Sequence, residues 1–313
     1  MTLLVAISDF QPDVWAKRLV ALMPERDIRV FPDLGDRADI VYALVWKPEP
    51  GLLKSLPNLK AVFSVGAGVD HILADPALPD IPIVRIVDPD MTMRMTEHVV
   101  LHVLLHHRRL LAYGEQQRDR RWNELRQPPA SSVNVGLMGL GELGRDAATK
   151  LIALGFNIAG WSRTPKDIPG VACFAGPVGL NGFLARTDIL VSLLPLTADT
   201  RGILNKALFA KLRRDGPLGG AVLINAGRGE LQVESDILAA LKAGELKAAS
   251  LDVFEQEPLA EDSPLWAHPS VVVTPHAAAV SNAHALTRNI ANQITAFEAG
   301  KPLQNVVDVE RGY

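Results

Sequence analysis

The feature that most constrains the fold is a glycine-rich turn between an apolar strand and a helix, near the middle of the chain. The strand-like segment Val133–Met138 runs directly into a G-x-G-x-x-G pattern, and a helical pattern of residues 146–154 follows. The glycines of the pattern are Gly139, Gly141 and Gly144. Such a turn presents backbone N–H groups and a helix N-terminus, which together bind the pyrophosphate of a dinucleotide. Because strand and helix flank the glycines as this fold requires, the segment predicts a dinucleotide-binding α/β domain.

The composition indicates a compact protein and argues against nucleic-acid and membrane partners. Of the 313 residues, 48% are hydrophobic and 21% are charged, which is typical of folded globular proteins. The formal net charge of −3 disfavours nucleic-acid binding, which depends on concentrated positive charge. No apolar run approaches the ~20 residues that cross a bilayer, and residues 1–8 do not resemble a signal peptide. With Cys173 as its single cysteine, the chain is expected to be cytoplasmic.

Short apolar runs alternate with helical patterns, which predicts parallel sheets covered by helices on both faces. A chain of 313 residues is long for one core, and the glycine turn lies far from its start. We therefore expect two doubly wound α/β domains with a cleft between them. The predicted Rossmann nucleotide domain spans 100–282, and a discontinuous flavodoxin-like domain comprises 1–99 and 283–313. Residues 91–113 are expected to form one long helix that bridges the domains.

The second strand of the nucleotide domain predicts which dinucleotide binds. A site that prefers NAD carries Asp or Glu there, which binds the ribose 2′-hydroxyl. Here the strand ends in Trp161-Ser162-Arg163-Thr164-Pro165-Lys166, with no carboxylate. A guanidinium binds a 2′-phosphate through charge-assisted bonds, so NADP(H) is the preferred cofactor and NAD(H) the alternative. The expected contacts come from Ser162, Arg163 and Lys166; the alternative interpretation is a solvated basic loop.

Three later segments place chemically complementary side chains after predicted strands of the nucleotide domain, where α/β sheets bind their ligands. The candidate catalytic residues are Arg228, Glu257 and His276. Arg228 is suited to bind an anionic substrate and polarise its carbonyl group. His276 is suited to donate the proton that a new alkoxide needs, with Glu257 orienting the imidazole. The set predicts reduction of a keto acid.

These segments resemble the D-isomer-specific 2-hydroxyacid dehydrogenase family along nearly the whole chain. The resemblance includes residues 64–70, the glycine turn, residues 194–203 and the segments that contain Arg228, Glu257 and His276. Trp46-Lys47-Pro48 and the Trp-Ser-Arg segment are most similar to the bacterial A-type reductases of glyoxylate and hydroxypyruvate. One departure is Gly227, where many members carry Ala; we expect this glycine to loosen the loop slightly.

The resemblance implies roles for residues whose chemistry alone does not assign them. Backbone N–H groups of the Val65–Gly68 loop would bind the substrate carboxylate, and Trp46 would be a lid or pocket wall. Asp252 and the Ala226 carbonyl would orient the nicotinamide, although Asp252 also fits a role in ordering its own loop. The full set of implied cofactor residues is Gly139, Gly141, Glu142, Leu143, Gly144, Ser162, Arg163, Lys166, Leu194, Pro195, Thr200, Ala226 and Asp252. The implied substrate residues are Trp46, Val65, Gly66, Ala67, Gly68 and Arg228.

The expected activity is NADPH-dependent reduction of small 2-keto acids. The expected reactions convert glyoxylate to glycolate and hydroxypyruvate to D-glycerate. One alternative is a member of the same family that acts on a bulkier or phosphorylated keto acid. A more distant alternative is a non-enzymatic regulator that senses the dinucleotide. The sequence leaves the physiological keto acid open.

Three histidines recur every four residues along the predicted long helix. His98, His102 and His106 share one helix face with several apolar residues, and no clustered cysteine or carboxylate completes a metal site. We therefore interpret the face as structural or as a dimer contact and expect no metal. The apolar pattern of residues 91–111 favours a homodimer.

Overall fold

The structure is a computed structural model that describes residues 1–8, 11–279 and 282–313. Its strands and helices alternate along the chain. The first are β1 (Thr2–Ile7), α1 (Pro12–Leu22), β2 (Asp27–Val30), β3 (Ile40–Trp46), β4 (Ala61–Ser64), α2 (Asp70–Leu73), β5 (Ile83–Val84), α3 (Pro89–His107), α4 (Leu110–Arg118) and β6 (Asn134–Met138). These are followed by α5 (Glu142–Ala153), β7 (Asn157–Ser162), β8 (Val171–Ala175), α6 (Gly176–Leu184), β9 (Ile189–Ser192), α7 (Lys206–Phe209), β10 (Ala221–Asn225), α8 (Glu234–Lys242), β11 (Leu246–Leu251), β12 (Val271–Val273) and α9 (Ala283–Glu298).

Packing divides the chain into two units, one of residues 1–91 with 280–313 and the other of residues 92–279. The first unit is built on a five-stranded parallel sheet in the order β2-β1-β3-β4-β5. This is the flavodoxin-like order of doubly wound folds. All six residues of β1 are buried, because helices cover both faces of such a sheet.

The C-terminal part of the chain belongs to the first unit. Helix α9 contributes Glu298, whose carboxylate accepts hydrogen bonds of 2.8 and 2.7 Å from the Arg26 guanidinium. The tail then pairs with β5, where Val306 forms an antiparallel bridge with Val84. The predicted start of the last helix at Ser281 lies outside the described residues.

The second unit contains a seven-stranded parallel sheet in the order β12-β11-β10-β9-β6-β7-β8. The strand order reverses between β6 and β9, as in a Rossmann fold, and ligands bind at the carboxyl edge near such a point. The prediction of two doubly wound parallel-sheet α/β domains is therefore confirmed.

The predicted single helix over residues 91–113 is wrong in one respect, because the structure breaks it into α3 and α4. Arg109 adopts a left-handed conformation, with φ of 58°, and its guanidinium donates a 2.9 Å hydrogen bond to the Arg126 carbonyl oxygen. Val99 and Val103 of α3 are fully buried in the core of their own unit. The apolar pattern that favoured a dimer contact thus largely serves internal packing.

Candidate active site

The sequence-predicted site residues of the second unit lie at the carboxyl edge of its sheet. Arg228 follows β10, Asp252 follows β11 and His276 follows β12. These strands are parallel neighbours, so their carboxyl ends meet at one edge. The glycine turn follows β6 and emerges at the same edge. The fold therefore brings residues far apart in sequence to one side of one sheet.

His276 and Glu257 are in direct contact. The imidazole Nδ1 lies 2.8 Å from Glu257 Oε2, and the second carboxylate oxygen accepts a 3.1 Å hydrogen bond from the Phe254 N–H. A carboxylate beside Nδ1 selects the tautomer in which that nitrogen carries hydrogen, which leaves Nε2 for proton exchange with a substrate. The His276 side chain is 41% exposed, so a ligand has access to it.

The backbone around His276 is fixed by Asp252. His276 has a left-handed φ of 52°, and its N–H donates a 2.7 Å hydrogen bond to the Asp252 carbonyl oxygen. The buried Asp252 carboxylate accepts hydrogen bonds from the Thr274 hydroxyl at 2.6 Å and from the N–H groups of Ala277 and Ala278 at 2.9 and 3.0 Å. An uncommon backbone conformation persists where such contacts over-determine it. The alternative expectation for Asp252, that it orders a loop, thus describes its contacts here.

Arg228 lies in a loop held by buried amide side chains. The Asn225 amide nitrogen donates to the Arg228 carbonyl oxygen at 3.1 Å and to Gln232 Oε1 at 2.8 Å. The Gln232 amide donates in turn to the Val253 carbonyl oxygen at 2.9 Å, which links this loop to the end of β11. Sequence reasoning missed the roles of Asn225 and Gln232. For Asn225 the signal was an uncharged polar residue that ends the otherwise apolar strand β10.

The expectation that Gly227 loosens this loop is wrong. A Cβ atom at position 227 would lie 2.9 Å from the Leu194 carbonyl oxygen and 2.8 Å from the Leu231 side chain. Glycine therefore allows the Arg228 loop to pack closely against the segment after β9. The Arg228 guanidinium donates a 2.9 Å hydrogen bond to the Gly227 carbonyl oxygen.

The glycine turn has the geometry that a pyrophosphate requires. Gly139 has a φ of 103°, which side chains disfavour, and a Cβ atom on Gly144 would lie 1.9 Å from the Gly139 carbonyl oxygen. Around Gly141, by contrast, a Cβ atom would meet no described heavy atom within 4 Å. The turn thus packs tightly against α5 and leaves open space at the helix N-terminus. Glu142 and Leu143 begin that helix, where N–H groups and the helix dipole favour an anion.

The basic segment lies beside this turn, since β7 pairs with β6. Ser162 is the last residue of β7, is buried, and donates a 2.8 Å hydrogen bond to the Thr164 carbonyl oxygen. Arg163 and Lys166 follow on the exposed loop. The residues present therefore fit a dinucleotide with a phosphate on its ribose.

The remaining implied cofactor residues lie in the segments after β9 and β10. Leu194 and Ala226 are buried. The Thr200 hydroxyl donates a 2.7 Å hydrogen bond to the Pro195 carbonyl oxygen and accepts one of 2.8 Å from the Thr197 N–H. Thr200 thus closes the turn that contains Pro195.

In the first unit, Trp46 lies against the loop implied to bind a carboxylate. A Cβ atom on Gly66 would lie 2.2 Å from a carbon of the Trp46 ring, so only glycine allows this contact. The Trp46 ring also packs against His71, with 4.4 Å between the ring centroids. Val65 and Gly66 are buried, whereas Ala67 and Gly68 are partly exposed.

Metal-binding and membrane-spanning features are absent from residues 1–8, 11–279 and 282–313. Within these ranges no three His, Cys, Asp or Glu residues are grouped so that they could hold a metal ion. No helix there is long and apolar enough to cross a membrane.

Comparison with known proteins identifies the family. The model of the D-isomer specific 2-hydroxyacid dehydrogenase, NAD binding domain, matches residues 100–278. The glyoxylate/hydroxypyruvate reductase A of Yersinia enterocolitica is 41% identical over 310 residues, which is 97% of each chain. The chain therefore belongs to the D-isomer specific 2-hydroxyacid dehydrogenase family.

Two solved structures of relatives contain a dinucleotide. The NADPH-dependent glyoxylate/hydroxypyruvate reductase from Sinorhizobium meliloti, in complex with NADP and sulfate, is 50% identical, with a TM-score of 0.94 over 100% of this chain and 99% of that one. A D-isomer specific 2-hydroxyacid dehydrogenase from Xanthobacter autotrophicus, in complex with NADPH and MES, is 42% identical, with the same TM-score and coverage.

Proposed function

We propose that the protein is an NADPH-dependent reductase of small 2-keto acids, which converts glyoxylate to glycolate and hydroxypyruvate to D-glycerate. The observation that carries the proposal is the 2.8 Å contact between His276 Nδ1 and Glu257, at the sheet edge where the glycine turn also lies. The reductases of Yersinia enterocolitica and Sinorhizobium meliloti support this choice of substrates.

In the proposed reaction NADPH supplies the hydride, and this chain supplies charge and a proton. The Arg228 guanidinium binds the substrate and polarises its carbonyl oxygen, which favours the build-up of negative charge there. His276 transfers the proton from Nε2 to that oxygen as the alcohol forms, and then recovers a proton from solvent. Glu257 stabilises the imidazolium and keeps the ring in one orientation.

NADP(H) is the proposed cofactor because the end of β7 offers cations and no carboxylate. Arg163 and Lys166 lie on the loop that follows Ser162, next to the glycine turn. Leu194, Pro195 and Ala226 are proposed to contact the nicotinamide half. The substrate contacts implied for Trp46 and the Val65–Gly68 loop belong to the same proposal.

The proposal also includes a homodimer located in the cytoplasm. The exposed apolar side chains that such a contact would cover are Leu101 of α3, Leu110 of α4 and the fully exposed Trp122. Cell fractionation tests the location, and light scattering tests the assembly.

Steady-state assays test the proposed activity. NADPH oxidation is followed by nicotinamide absorbance with glyoxylate, hydroxypyruvate, pyruvate and phosphohydroxypyruvate, and chiral analysis identifies the product. We expect the highest kcat/KM with glyoxylate or hydroxypyruvate, and D-glycerate from the latter. Preference for phosphohydroxypyruvate would point to the phosphorylated-substrate alternative, and no oxidation with any keto acid would contradict the proposal.

A further inference from the structure

Three of the four histidines of α3 (His98, His102 and His106) form a cluster with Ser250 of β11. The Ser250 hydroxyl oxygen lies 2.8 Å from His102 Nδ1 and 2.8 Å from His106 Nε2. The two rings and the hydroxyl that they contact are buried: Ser250 is 1% exposed, His102 3% and His106 8%. The His98 ring lies against His102, with 4.2 Å between the ring centroids.

The number of available hydrogens limits how the two imidazole rings bind Ser250. Burial lowers the pKa of His102 to about 4 and that of His106 to about 3, so both rings are neutral near pH 7. A serine hydroxyl donates one hydrogen bond and can accept two, so at most one of the two ring nitrogens accepts from Ser250 and at least one donates to it. Loss of the Ser250 hydroxyl therefore removes a hydrogen-bond partner from two buried ring nitrogens at once.

The cluster is adjacent to the carboxylate that holds the His276 loop. Ser250 lies in β11, and Asp252 follows two residues later, directly after the strand ends at Leu251. The negative charge of Asp252 partly opposes the lowering of the pKa of His98 and His102 by burial.

We propose that His102, His106 and Ser250 are positioning residues for Asp252, and through it for His276. The three side chains join α3 to the end of β11, the strand that delivers Asp252. The Asp252 carboxylate then binds Thr274, Ala277 and Ala278, which flank His276. The hydrogen bonds of His102 and His106 with Ser250 therefore set where the imidazole of His276 lies relative to a substrate. This inference rests on the proposed reductase function.

The test compares substitutions that remove or preserve the contact with Ser250. His102→Leu and Ser250→Ala remove it. His102→Asn is the matched control, because the asparagine amide occupies about the position of the imidazole Nδ1. The first measurement is kcat and KM with NADPH and glyoxylate. The second is the rate of amide hydrogen exchange at Ala277 and Ala278 in the protein without ligands, with Leu137 and Val191 as reference amides.

For His102→Leu and Ser250→Ala we expect kcat to fall by about ten-fold or more, with smaller changes in KM. Exchange should accelerate at Ala277 and Ala278 and stay slow at the reference amides, while His102→Asn should behave like the parent protein. Unchanged exchange and kcat would overturn the inference, and so would equal acceleration at the reference amides, which marks general destabilisation. An inactive parent protein would contradict the proposed function instead and leave the exchange comparison valid.

Discussion

Arg163 is the residue on which the proposed choice of cofactor most depends. Its guanidinium would form charge-assisted bonds with a 2′-phosphate, each worth about 1.5–3 kcal/mol. We predict that Arg163→Ala raises the Kd of NADPH by about ten- to a hundred-fold and that of NADH by much less, as measured by fluorescence titration. Arg118→Ala, which removes an exposed arginine at the end of α4, is the control. Equal losses for both dinucleotides would reject a phosphate contact.

The buried histidines predict how stability depends on pH. Burial lowers the pKa of His102 from 6.5 to about 4, so the unfolded chain binds more protons than the folded one between these values. The free energy of unfolding therefore decreases as the pH falls from about 6.5 to about 4, by roughly 3 kcal/mol for this group. His106, whose pKa is lowered to about 3, adds to the effect.

Urea unfolding across this pH range measures the predicted loss. His102→Asn lacks the titrating ring, so its free energy of unfolding should fall less steeply between pH 6.5 and 4. A curve parallel to that of the parent protein would show that His102 does not titrate on unfolding.

At the scale of elements, two glycines of the turn between β6 and α5 have different roles: Gly144 allows close packing, and Gly141 leaves space for a ligand. Gly144→Ala places a Cβ atom 1.9 Å from the Gly139 carbonyl oxygen, whereas the space around Gly141 is open. We predict that Gly144→Ala destabilises the protein by about 1–3 kcal/mol, as measured by thermal unfolding. Gly141→Ala should leave Tm nearly unchanged and weaken NADPH binding, because its methyl group occupies space that the pyrophosphate requires. A large fall in Tm for Gly141→Ala would contradict this division of roles.

Sequence patterns identified most elements but missed two of the four strands at the sheet edges. β2 and β8 lie at the ends of their sheets, and their residues are mostly only partly buried. An edge strand is not covered as fully as a central one, so it needs no long apolar run. The break at Arg109 was missed for a related reason, because it depends on contacts with residues 126 and 217 that periodicity does not report.

The candidate site was predictable to the extent that its residues follow strands. Arg228, Glu257 and His276 were selected as candidates because motifs place them after β10, β11 and β12. The residues that support them, Asn225, Gln232, Thr274 and Ser250, act through hydrogen bonds between separate elements. Such partners are set by three-dimensional packing, and a single sequence does not reveal them.

At the scale of the whole molecule, the first unit contains both chain ends and the second carries the dinucleotide-binding turn and the catalytic candidates. The proposed dimer contact would cover the exposed side chains of Leu101, Leu110 and Trp122. We predict that light scattering gives twice the 33.9 kDa mass of one chain, and that Leu101→Lys shifts the protein toward the monomer. Leu154→Lys, at another exposed leucine, should not do so. A monomeric parent protein would contradict the dimer.

The central claim is that His276 donates the proton during NADPH-dependent reduction of a 2-keto acid. The most direct test measures kcat with NADPH and glyoxylate, and the Kd of NADPH, for His276→Ala beside the exposed control His284→Ala. We predict that kcat falls by about 10²–10⁴-fold for His276→Ala. The Kd of NADPH should change by no more than about three-fold, because the glycine turn is intact. His284→Ala should match the parent protein in both quantities. Turnover by His276→Ala at the parent rate would contradict the claim.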